Sequence, residues 1–440
     1  MDDDARGRKR KWCSQLDSVF FYEGGEVAAE LKSQITRVRI GPQVKDIPRD
    51  AFRGCRINLA EVQFDEGSLE VIGVSAFHGC KALQEVAIPP SVTKLGGWAF
   101  CSCTNLAKVQ LNEGLEIIED NAFYGCGALQ RVLLPPSVTH LIGCTFYGCI
   151  NLADVQLHEG LETIGKYTFS VCRALQRVII PLSVTKLDNY AFWGCGNLAS
   201  VQFSEGLEII GERAFYECTE LRSMTVPSSV TELGYEAFGG CTNLTEVILL
   251  GGESLLNRGF FKRGLFSGRG VLNQQALNEM IGHGSALRDC PATNAFYDCP
   301  LTALKISISR ALPERMERLP RECRLSIEQR VHDLRRLELT QDGNILACFP
   351  LLRRPSDWDL IEDTNDETAE SLHQILRLIS FHELKESSIV IELAMWKSSL
   401  VEDRARADSR TSVPDPAKSL IMDYCGFTGF LEPAIEGDYR

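Results

Sequence analysis

Residues 105–129 read NLAKVQLNEGLEIIEDNAFYGCGAL and contain one complete copy of a motif that recurs along the chain. Its phenylalanine belongs to a series in which the first step is 25 residues and every later step is 23: Phe52, Phe77, Phe100, Phe123, Phe146, Phe169, Phe192, Phe215 and Phe238. A repeat of this length cannot bury its apolar face alone, so it stacks on its neighbours. The sequence therefore predicts a repeat solenoid with turns of about 23 residues.

The quoted copy also indicates which side chains of one turn face the core. Leu106, Val109 and Leu111 predict a short strand, and Gln110 between the last two must face the opposite way. The Glu-Gly pair that follows is a turn signal. A second extended piece and a tight return add further inward groups: Leu115, Ile118, Ala122, Phe123, Cys126 and Leu129. Each turn is expected to add a short strand to a stack and apolar side chains to one continuous core.

The cysteines follow the same register. Ten of the 17 lie three residues after a phenylalanine: Cys55, Cys80, Cys103, Cys126, Cys149, Cys172, Cys195, Cys218, Cys241 and Cys299. Free cysteine is among the most buried residue types, so this periodicity assigns the thiols to core packing. Residues 1–11 are mostly charged and have no apolar stretch behind them, so no secretory signal is expected. Outside an oxidising compartment the thiols are predicted to stay reduced.

The repeated order resembles a known family. A Leu-x-x-Val-x-Leu strand is followed by Pro or Glu-Gly and by a closing Ala-Phe-x-x-Cys-x-x-Leu. This order resembles the BspA-like class of leucine-rich repeats over residues 35–250, with an outlying copy at residues 294–301. The resemblance implies a leucine-rich-repeat solenoid with a strand-lined inner face and a role in protein or surface binding. It carries over no catalytic residue.

Four segments are predicted along the chain. Residues 1–30 form an N-terminal tail or cap, and residues 31–250 form the BspA-like solenoid of short stacked strands. Residues 251–310 hold a glycine-rich stretch and a degenerate terminal repeat. The glycine-rich stretch is either an insertion that bulges from the solenoid or a decayed repeat. Residues 311–440 are expected to form a mixed, mainly helical C-terminal module.

Local patterns within the last segment suggest its elements. Asp342-Gly343 between apolar runs signals a hairpin. Two amphipathic helices are predicted from apolar residues at helical spacing, first Leu372, Ile375, Leu376 and Ile379, then Ile389, Leu393, Trp396 and Leu400. These helices either cap the open end of the solenoid or form a separate interaction domain. The alternative to a pure scaffold is an enzyme or regulatory factor whose activity lies in this module.

Alternate repeats differ, so the repeating unit is two turns. One set turns at Glu-Gly and the other at proline. One residue of each strand faces away from the core. It is glutamine in the repeats that turn at Glu-Gly and mostly apolar in the repeats that turn at proline. This column is the candidate binding site: Gln63, Ala87, Gln110, Leu133, Gln156, Ile179, Gln202, Thr225 and Ile248. Exposed apolar strips often mark contact sites, although duplication of a two-turn ancestor would leave the same ladder without any function.

A second line of aromatic residues directly follows the repeat phenylalanine. Its members are Tyr124, Tyr147, Trp193 and Tyr216. These rings either offer a second contact surface or close the rim of the core.

The sequence contains no recognisable catalytic constellation. The nearest approach to a zinc-hydrolase helix starts at His382, but Glu386 stands where the second histidine ligand is required. Neither a nucleophile elbow nor a dinucleotide-binding fingerprint is present. We therefore expect no catalytic residue, no metal site and no cofactor, and we predict a non-enzymatic scaffold that presents its strand face to a protein partner.

Charge and hydropathy restrict the partners and the location. The formal net charge of −13 argues against nucleic acid and favours basic or neutral partners. No run of 18 apolar residues occurs, so no membrane span is expected. The expected location is the cytoplasm, and the alternative is the nucleus, with the basic cluster at residues 6–11 as the address.

Overall fold

The computed structural model describes residues 19–55, 57–250, 295–307, 312–334, 336–340 and 345–350, together with residue 343 and nine positions between 371 and 385. The chain divides into two compact units. The first contains Met1–Leu312 and Leu334–Leu372, and the second contains Pro313–Asp333 and His373–Arg440. The strands of the described residues all lie in the first unit.

Each of the nine turns from Arg37 to Leu233 contributes one longer strand and one strand of two residues, and further longer strands lie at both ends of the array. The longer strands are β1 (Phe20–Tyr22), β2 (Arg37–Ile40), β4 (Glu61–Phe64), β6 (Glu85–Ala87), β8 (Lys108–Gln110), β10 (Arg131–Leu133), β12 (Asp154–Gln156), β14 (Arg177–Ile179), β16 (Ser200–Gln202), β18 (Ser223–Val226), β20 (Glu246–Leu249) and β21 (Ala303–Ser307). The two-residue strands are β3 (Asp46–Ile47), β5 (Val71–Ile72), β7 (Lys94–Leu95), β9 (Ile117–Ile118), β11 (His140–Leu141), β13 (Thr163–Ile164), β15 (Lys186–Leu187), β17 (Ile209–Ile210) and β19 (Glu232–Leu233). A short helix, α1 (Ala29–Lys32), precedes β2.

The strands of neighbouring turns pair in parallel and in one constant register. Leu141 lies opposite Ile164, and Lys186 lies opposite Ile209, so each residue faces its equivalent in the next repeat. The two-residue strands join into one sheet of nine, in the order β19 to β3, whereas the longer strands form several shorter ladders. The predicted repeat solenoid is confirmed, and each of its turns is one sequence repeat long.

The repeat phenylalanines form a continuous stack through the core. All of them are fully buried, and the ring centroids of successive turns lie between 5.1 Å and 5.5 Å apart with nearly parallel planes. Tyr22 closes the N-terminal end of the stack with its ring edge-on to Phe52 at 5.2 Å. Because each ring covers the face of the next, this column buries apolar surface without interruption along the array.

The cysteine column packs beside these rings, as the periodicity predicted. All ten repeat cysteines are buried thiols. Each thiol from Cys80 onward donates a hydrogen bond to the phenylalanine carbonyl of the preceding turn. The Sγ–O distance is 3.1 Å from Cys195 to Phe169, for example, and 3.4 Å from Cys218 to Phe192. Each of these carbonyls also accepts the backbone N–H of the cysteine three residues later in its own turn, so the thiol of the next turn is its second donor.

The return segment contains a feature that the periodicity did not predict. The residue two positions before each repeat phenylalanine has a left-handed backbone, with φ between 50° and 62°, although none of these residues is glycine: Asp50, Ser75, Trp98, Asn121, Cys144, Tyr167, Tyr190, Arg213 and Glu236. Along most of the array the N–H of this residue donates to a carbonyl of the next turn, as Tyr190 does to Glu212 at 2.8 Å. Bonds between turns thus hold a conformation that costs about 1 kcal/mol for a single L-residue.

The sheet continues beyond residue 250. Strand β21 pairs in parallel with β20, and a hairpin of β22 (Leu337–Leu339) and β23 (Ile345–Pro350) follows. The hairpin was predicted from Asp342-Gly343, and β23 pairs antiparallel with β21. The hairpin therefore covers the hydrogen-bonding edge that β21 would otherwise expose.

Helices dominate the described part of the second unit. Helix α2 (Leu312–Arg318) and helix α3 (Arg321–Asp333) come first. The backbone is helical at the described positions from 371 to 385, where Ile375 and Ile379 are buried, in agreement with the first predicted amphipathic helix. The second predicted helix, at residues 389–400, and the glycine-rich stretch at residues 251–294 lie outside the described residues.

Candidate binding face

The strand residues proposed as a binding site form one column across successive turns. In the paired strands, Ala87 lies opposite Gln110, Leu133 opposite Gln156, Ile179 opposite Gln202, and Thr225 opposite Ile248. Eight of the nine side chains are exposed, and Ile248 is half-buried. The fold therefore brings residues from nine turns onto one surface, which we call the strand face.

Apolar exposure on the strand face is concentrated at two positions. Leu133 is 46% exposed and Ile179 is 48% exposed, and both stand on strands that precede a proline turn. Gln156 lies on the strand between them. Two large aliphatic groups in water, separated by one amide, form a surface that gains free energy when a partner covers it.

Positive charges bound the column at its two ends, and the sequence analysis did not identify them. Arg39 lies opposite Gln63 and pairs with Asp65 at 2.6 Å. Lys305 lies opposite Ile248, where its Nζ is 3.0 Å from Glu246 and 2.8 Å from Glu338. Extension of the sequence register by one turn would have identified Arg39. Lys305 falls outside that register because residues 251–294 lie between it and the preceding strand.

A second outward column runs beside the first and carries charge. Its central members are Lys108, Arg131, Asp154 and Arg177, each two residues before a member of the uncharged column. The Arg131 guanidinium lies 2.9 Å from the Asp154 carboxylate, and the Arg177 guanidinium donates to the side-chain oxygen of Gln202 at 3.4 Å. Exposed pairs of this kind add little stability, so these groups remain able to bind a partner.

The N-terminal end of the strand face is a groove. Its volume is about 800 Å³, and its walls include Arg39, Gln63, Ala87, Pro90 and Asn112. The groove contains the first two residues of the candidate column together with the cation at its end. This part of the face is therefore concave enough to surround a small group or a side chain.

The alternation of Glu-Gly and proline turns has a structural cause. The Glu205 carboxylate accepts hydrogen bonds from the backbone N–H groups of Ser228 and Ser229, at 3.1 Å and 3.2 Å. Glu159 makes the same contacts with Leu182 and Ser183 one unit earlier. These two Glu turns therefore hold the proline turns that follow them, so the alternation there is more than a trace of duplication. In the two earlier units Pro90 and Pro136 stand at the equivalent position and have no N–H to donate.

The glycine of the Glu-Gly pair is required by close packing between turns. A Cβ atom at Gly114 would lie 2.2 Å from the carbonyl oxygen of Pro90, and one at Gly206 would lie 2.3 Å from that of Leu182. Such distances are impossible for real Cβ atoms, so a larger residue would push successive turns apart.

The second predicted line of aromatics lies at the rim of the core. All four rings are half-buried, and Tyr124 stacks on Tyr147 at 4.8 Å. Additional rings join this line from the left-handed positions, among them Trp98, Tyr167 and Tyr190. These rings were not predicted from the sequence, because they stand before the repeat phenylalanine rather than after it.

The aromatic side of the solenoid also has a shallow depression. Its volume is about 510 Å³, and its lining includes Asp120, Cys144, Lys166, Tyr167 and Asp188. The Lys166 ammonium group lies 5.4 Å from the centre of the Tyr167 ring, within range of a cation–π contact. The cation of this depression is thus engaged with neighbouring aromatic rings.

The described residues do not combine into a reactive centre. Burial raises the pKa of the thiols, to about 12 for Cys103 and for Cys195, so these groups stay neutral and are poor nucleophiles. Among the described residues, no group of three or more His, Cys, Asp or Glu side chains could hold a metal ion. Glu383, next to His382, is held by the Arg315 guanidinium at 2.7 Å and 2.8 Å.

Stacked parallel strands, a buried leucine and phenylalanine core and turns of one constant length define a leucine-rich-repeat solenoid. The family model of the BspA type leucine rich repeat region, in six copies, matches residues 29–153 and 142–264, which is more than half of the chain. The chain belongs to this family. No curated protein matches it.

Solved structures of bacterial leucine-rich repeat proteins are similar to part of the chain. A protein from Bacteroides ovatus is 23% identical with a TM-score of 0.35, and the match covers 55% of this chain and 89% of that one. A protein from T. pallidum is 26% identical, with 46% and 79% coverage and a TM-score of 0.31. A cell surface protein from Faecalibacterium prausnitzii is 21% identical, with 63% and 80% coverage and a TM-score of 0.33. With TM-scores this low, the likenesses carry no argument about function.

Proposed function

We propose that the protein is a non-enzymatic scaffold that presents the strand face of its solenoid to a protein partner. The observation that carries this proposal is the exposure of Leu133 and Ile179 on one continuous surface. Their partly hydrated side chains give a partner apolar area to bury, and the glutamines between them supply hydrogen-bonding groups. The buried, neutral thiols support binding rather than catalysis.

The family supports the same conclusion at a coarser level. Leucine-rich repeats of the BspA type are interaction modules, and membership supports a protein-interaction role for this chain. Across the described residues, no helix combines the length and the apolar character needed to cross a membrane. The proposal adds to the family role the choice of surface, namely the column from Gln63 to Ile248.

Site-specific crosslinking in the full-length chain tests this choice. A photoreactive phenylalanine analogue replaces Gln156 at the centre of the strand face, or Ile142, which is 42% exposed outside it, as a matched control. We expect protein adducts from position 156 that disappear when Leu133→Asp and Ile179→Asp are added. Equal adducts from both positions, or adducts that ignore the two substitutions, would remove the strand face as the binding surface.

We further propose a cytoplasmic location, supported by the ten repeat cysteines that remain thiols, which a reducing compartment maintains. The alternative is the nucleus, with the basic cluster at residues 6–11, outside the described residues, as its address. Imaging of the tagged chain before and after deletion of residues 6–11 separates the two. A nuclear signal that is lost on deletion contradicts the cytoplasmic location.

A further inference from the structure

The exposed aliphatic groups of the strand face recur at every second turn. Leu133 stands on β10 and Ile179 on β14, with β12 between them. The two-residue strands of the same three turns, β11, β13 and β15, pair in one sheet at about 4.8 Å per strand, so the two side chains are separated by about 10 Å along the solenoid. In a polyproline II helix each residue rises about 3.1 Å, and every third residue therefore returns to the same side after about 9.3 Å. The two periods agree within side-chain flexibility.

The glutamines between these aliphatic groups favour the same type of ligand. A polyproline II segment makes no internal hydrogen bonds, so its carbonyl groups are free to accept bonds from side-chain amides. Gln110, Gln156 and Gln202 offer such amides at alternate turns. An α-helix would satisfy its own backbone and would bring a side chain to the surface once in every helical turn, a rise of only about half the spacing of the aliphatic groups. Two helical turns therefore match the aliphatic spacing as well, and backbone hydrogen bonding decides between the two ligands, because a helix would leave the glutamine amides without carbonyl acceptors.

The charge of the central face specifies the ligand further. Arg131 and Arg177 stand on the same two strands as Leu133 and Ile179, so they repeat with the same spacing of about 10 Å. Lys108 adds a third cation, and Asp154 is the one acid in this part of the charged column. Across the central strands the local balance is positive, although the whole chain carries −13.

Two of the acids on the other flank of the face are engaged with neighbouring turns, whereas Glu113 is exposed. Glu159 and Glu205 accept hydrogen bonds from backbone N–H groups of the following turns. Charges more than about 8 Å from a bound segment are screened at physiological salt. The nearby cations therefore determine which charge that segment should carry. The net charge of the chain favoured basic or neutral partners, whereas the local surface favours an acidic one.

We propose that the strand face binds a proline-rich segment in the polyproline II conformation, in which an acidic residue recurs at every third position. Proline or another apolar residue of each triplet covers Leu133 and then Ile179. The acidic residue of each triplet pairs with Arg131 and then Arg177, while the backbone carbonyls face the glutamines. This inference rests on the proposed function, because it requires the strand face to be the binding surface.

Fluorescence anisotropy with the purified full-length chain tests the proposal. The probe is a labelled peptide of four Pro-Pro-Glu triplets. One control peptide has the same composition with the four glutamates in a single block, which removes the period but keeps the charge. A second has Gly-Ser-Glu triplets, which keep the charge spacing but not the polyproline II conformation.

We expect saturable binding of the Pro-Pro-Glu peptide and at least about tenfold weaker binding of both controls, because each loses one of the two matched features. The double variant Leu133→Asp with Ile179→Asp should weaken binding at least about tenfold through lost apolar contact and added repulsion. The double variant Arg131→Gln with Arg177→Gln should weaken it about fivefold. Ile142→Asp serves as a folded control with unchanged binding, and circular dichroism verifies that each variant retains its fold.

Several results would overturn the inference. These are the absence of saturable binding, equal binding of the block peptide, or equal binding by the Leu133 and Ile179 variant. If the peptide fails while crosslinks from position 156 persist, the polyproline ligand is wrong and the binding face stands. If the position-specific crosslinks fail as well, both proposals fall.

Discussion

The Phe296 ring stacks on the Phe238 ring with centroids 5.4 Å apart and planes 12° apart, like any two neighbours in the core. The Phe238 N–H donates to the Ala295 carbonyl at 2.8 Å, as the Phe215 N–H donates to Ala237 at 2.7 Å. The Cys299 thiol donates to the Phe238 carbonyl across 61 positions, whereas the Cys241 thiol donates to the Phe215 carbonyl across 26. The chain thus contains a long additional segment between two turns that are consecutive in space.

Removal of this additional length should leave the solenoid folded. Deletion of residues 260–294 restores the regular spacing between Phe238 and the terminal phenylalanine. Loop closure depends only on the logarithm of loop length, so we expect a change in the free energy of unfolding of about 1 kcal/mol or less. Thermal melting followed by circular dichroism measures it. Loss of the cooperative transition would show that the deleted residues are part of the folded array.

A central ring of the phenylalanine stack should be critical for stability. Phe146→Ala removes a fully buried side chain between two stacked neighbours and should lower the free energy of unfolding by about 3–5 kcal/mol. Urea denaturation measures this loss. Leu182→Ala is the matched control, because Leu182 is 57% exposed and its truncation should cost no more than about 0.5 kcal/mol. Equal effects of the two substitutions would contradict the core assignment.

The carboxylate that links alternate turns should contribute measurably. Glu205→Ala removes the acceptor for two backbone N–H groups and for the Ser228 hydroxyl, and should lower the free energy of unfolding by about 1–2 kcal/mol. Glu208→Ala in the same turn is the control, since Glu208 is an exposed acid whose loss changes the net charge equally. If both variants melt alike, the contacts of Glu205 do not stabilise the turn.

Stability should fall at alkaline pH because the core thiols cannot ionise in the folded state. Burial raises the pKa of Cys149 and of Cys195 to about 12, whereas an unfolded thiol titrates near about 8.5. The folded state therefore binds more protons than the unfolded state between these values. The associated stability is complete below about pH 8.5 and is lost as the pH rises towards 12.

Urea denaturation in reducing buffer at pH 7.5 and pH 9.5 measures this loss, at about 1 kcal/mol for each such thiol. The variant Cys149→Ala provides the control. Between pH 7.5 and pH 9.5, the free energy of unfolding of this variant should fall by about 1 kcal/mol less than that of the parent chain. This difference does not depend on the effect of the substitution at pH 7.5. An identical pH dependence in the two proteins would show that this thiol ionises normally.

Much of the solenoid was predictable from local pattern. The spacing of Phe123 and Cys126 identified the buried columns, and the alternation around Gln110 identified the outward face, because both follow from the geometry of one short strand and one turn. The hairpin at Asp342-Gly343 was predictable for the same reason. Each of these features depends on residues that are near one another in the chain.

Features that depend on contacts between turns were not predictable in this way. The left-handed backbone of Asn121 and Tyr167 has no glycine signal, since hydrogen bonds from the neighbouring turn hold it in place. Lys305 could not be assigned to the end of the uncharged column, because residues 251–294 separate it from its neighbour Ile248. The contacts of Glu205 were likewise not predictable, because the groups that donate to its carboxylate lie in the next turn.

The amino-acid sequence by itself determined the length of the turn, the side chains that enter the core and the alternation of amide and aliphatic groups on the strand. Only the tertiary structure decided that Lys305 bounds that alternation and that the turn of Phe296 follows that of Phe238. The physical reason is that periodicity reports the geometry within one turn. Hydrogen bonds and ring stacking between turns join residues that are far apart in the chain. The separation of such residues depends on the length of the segment between them, which periodicity does not report.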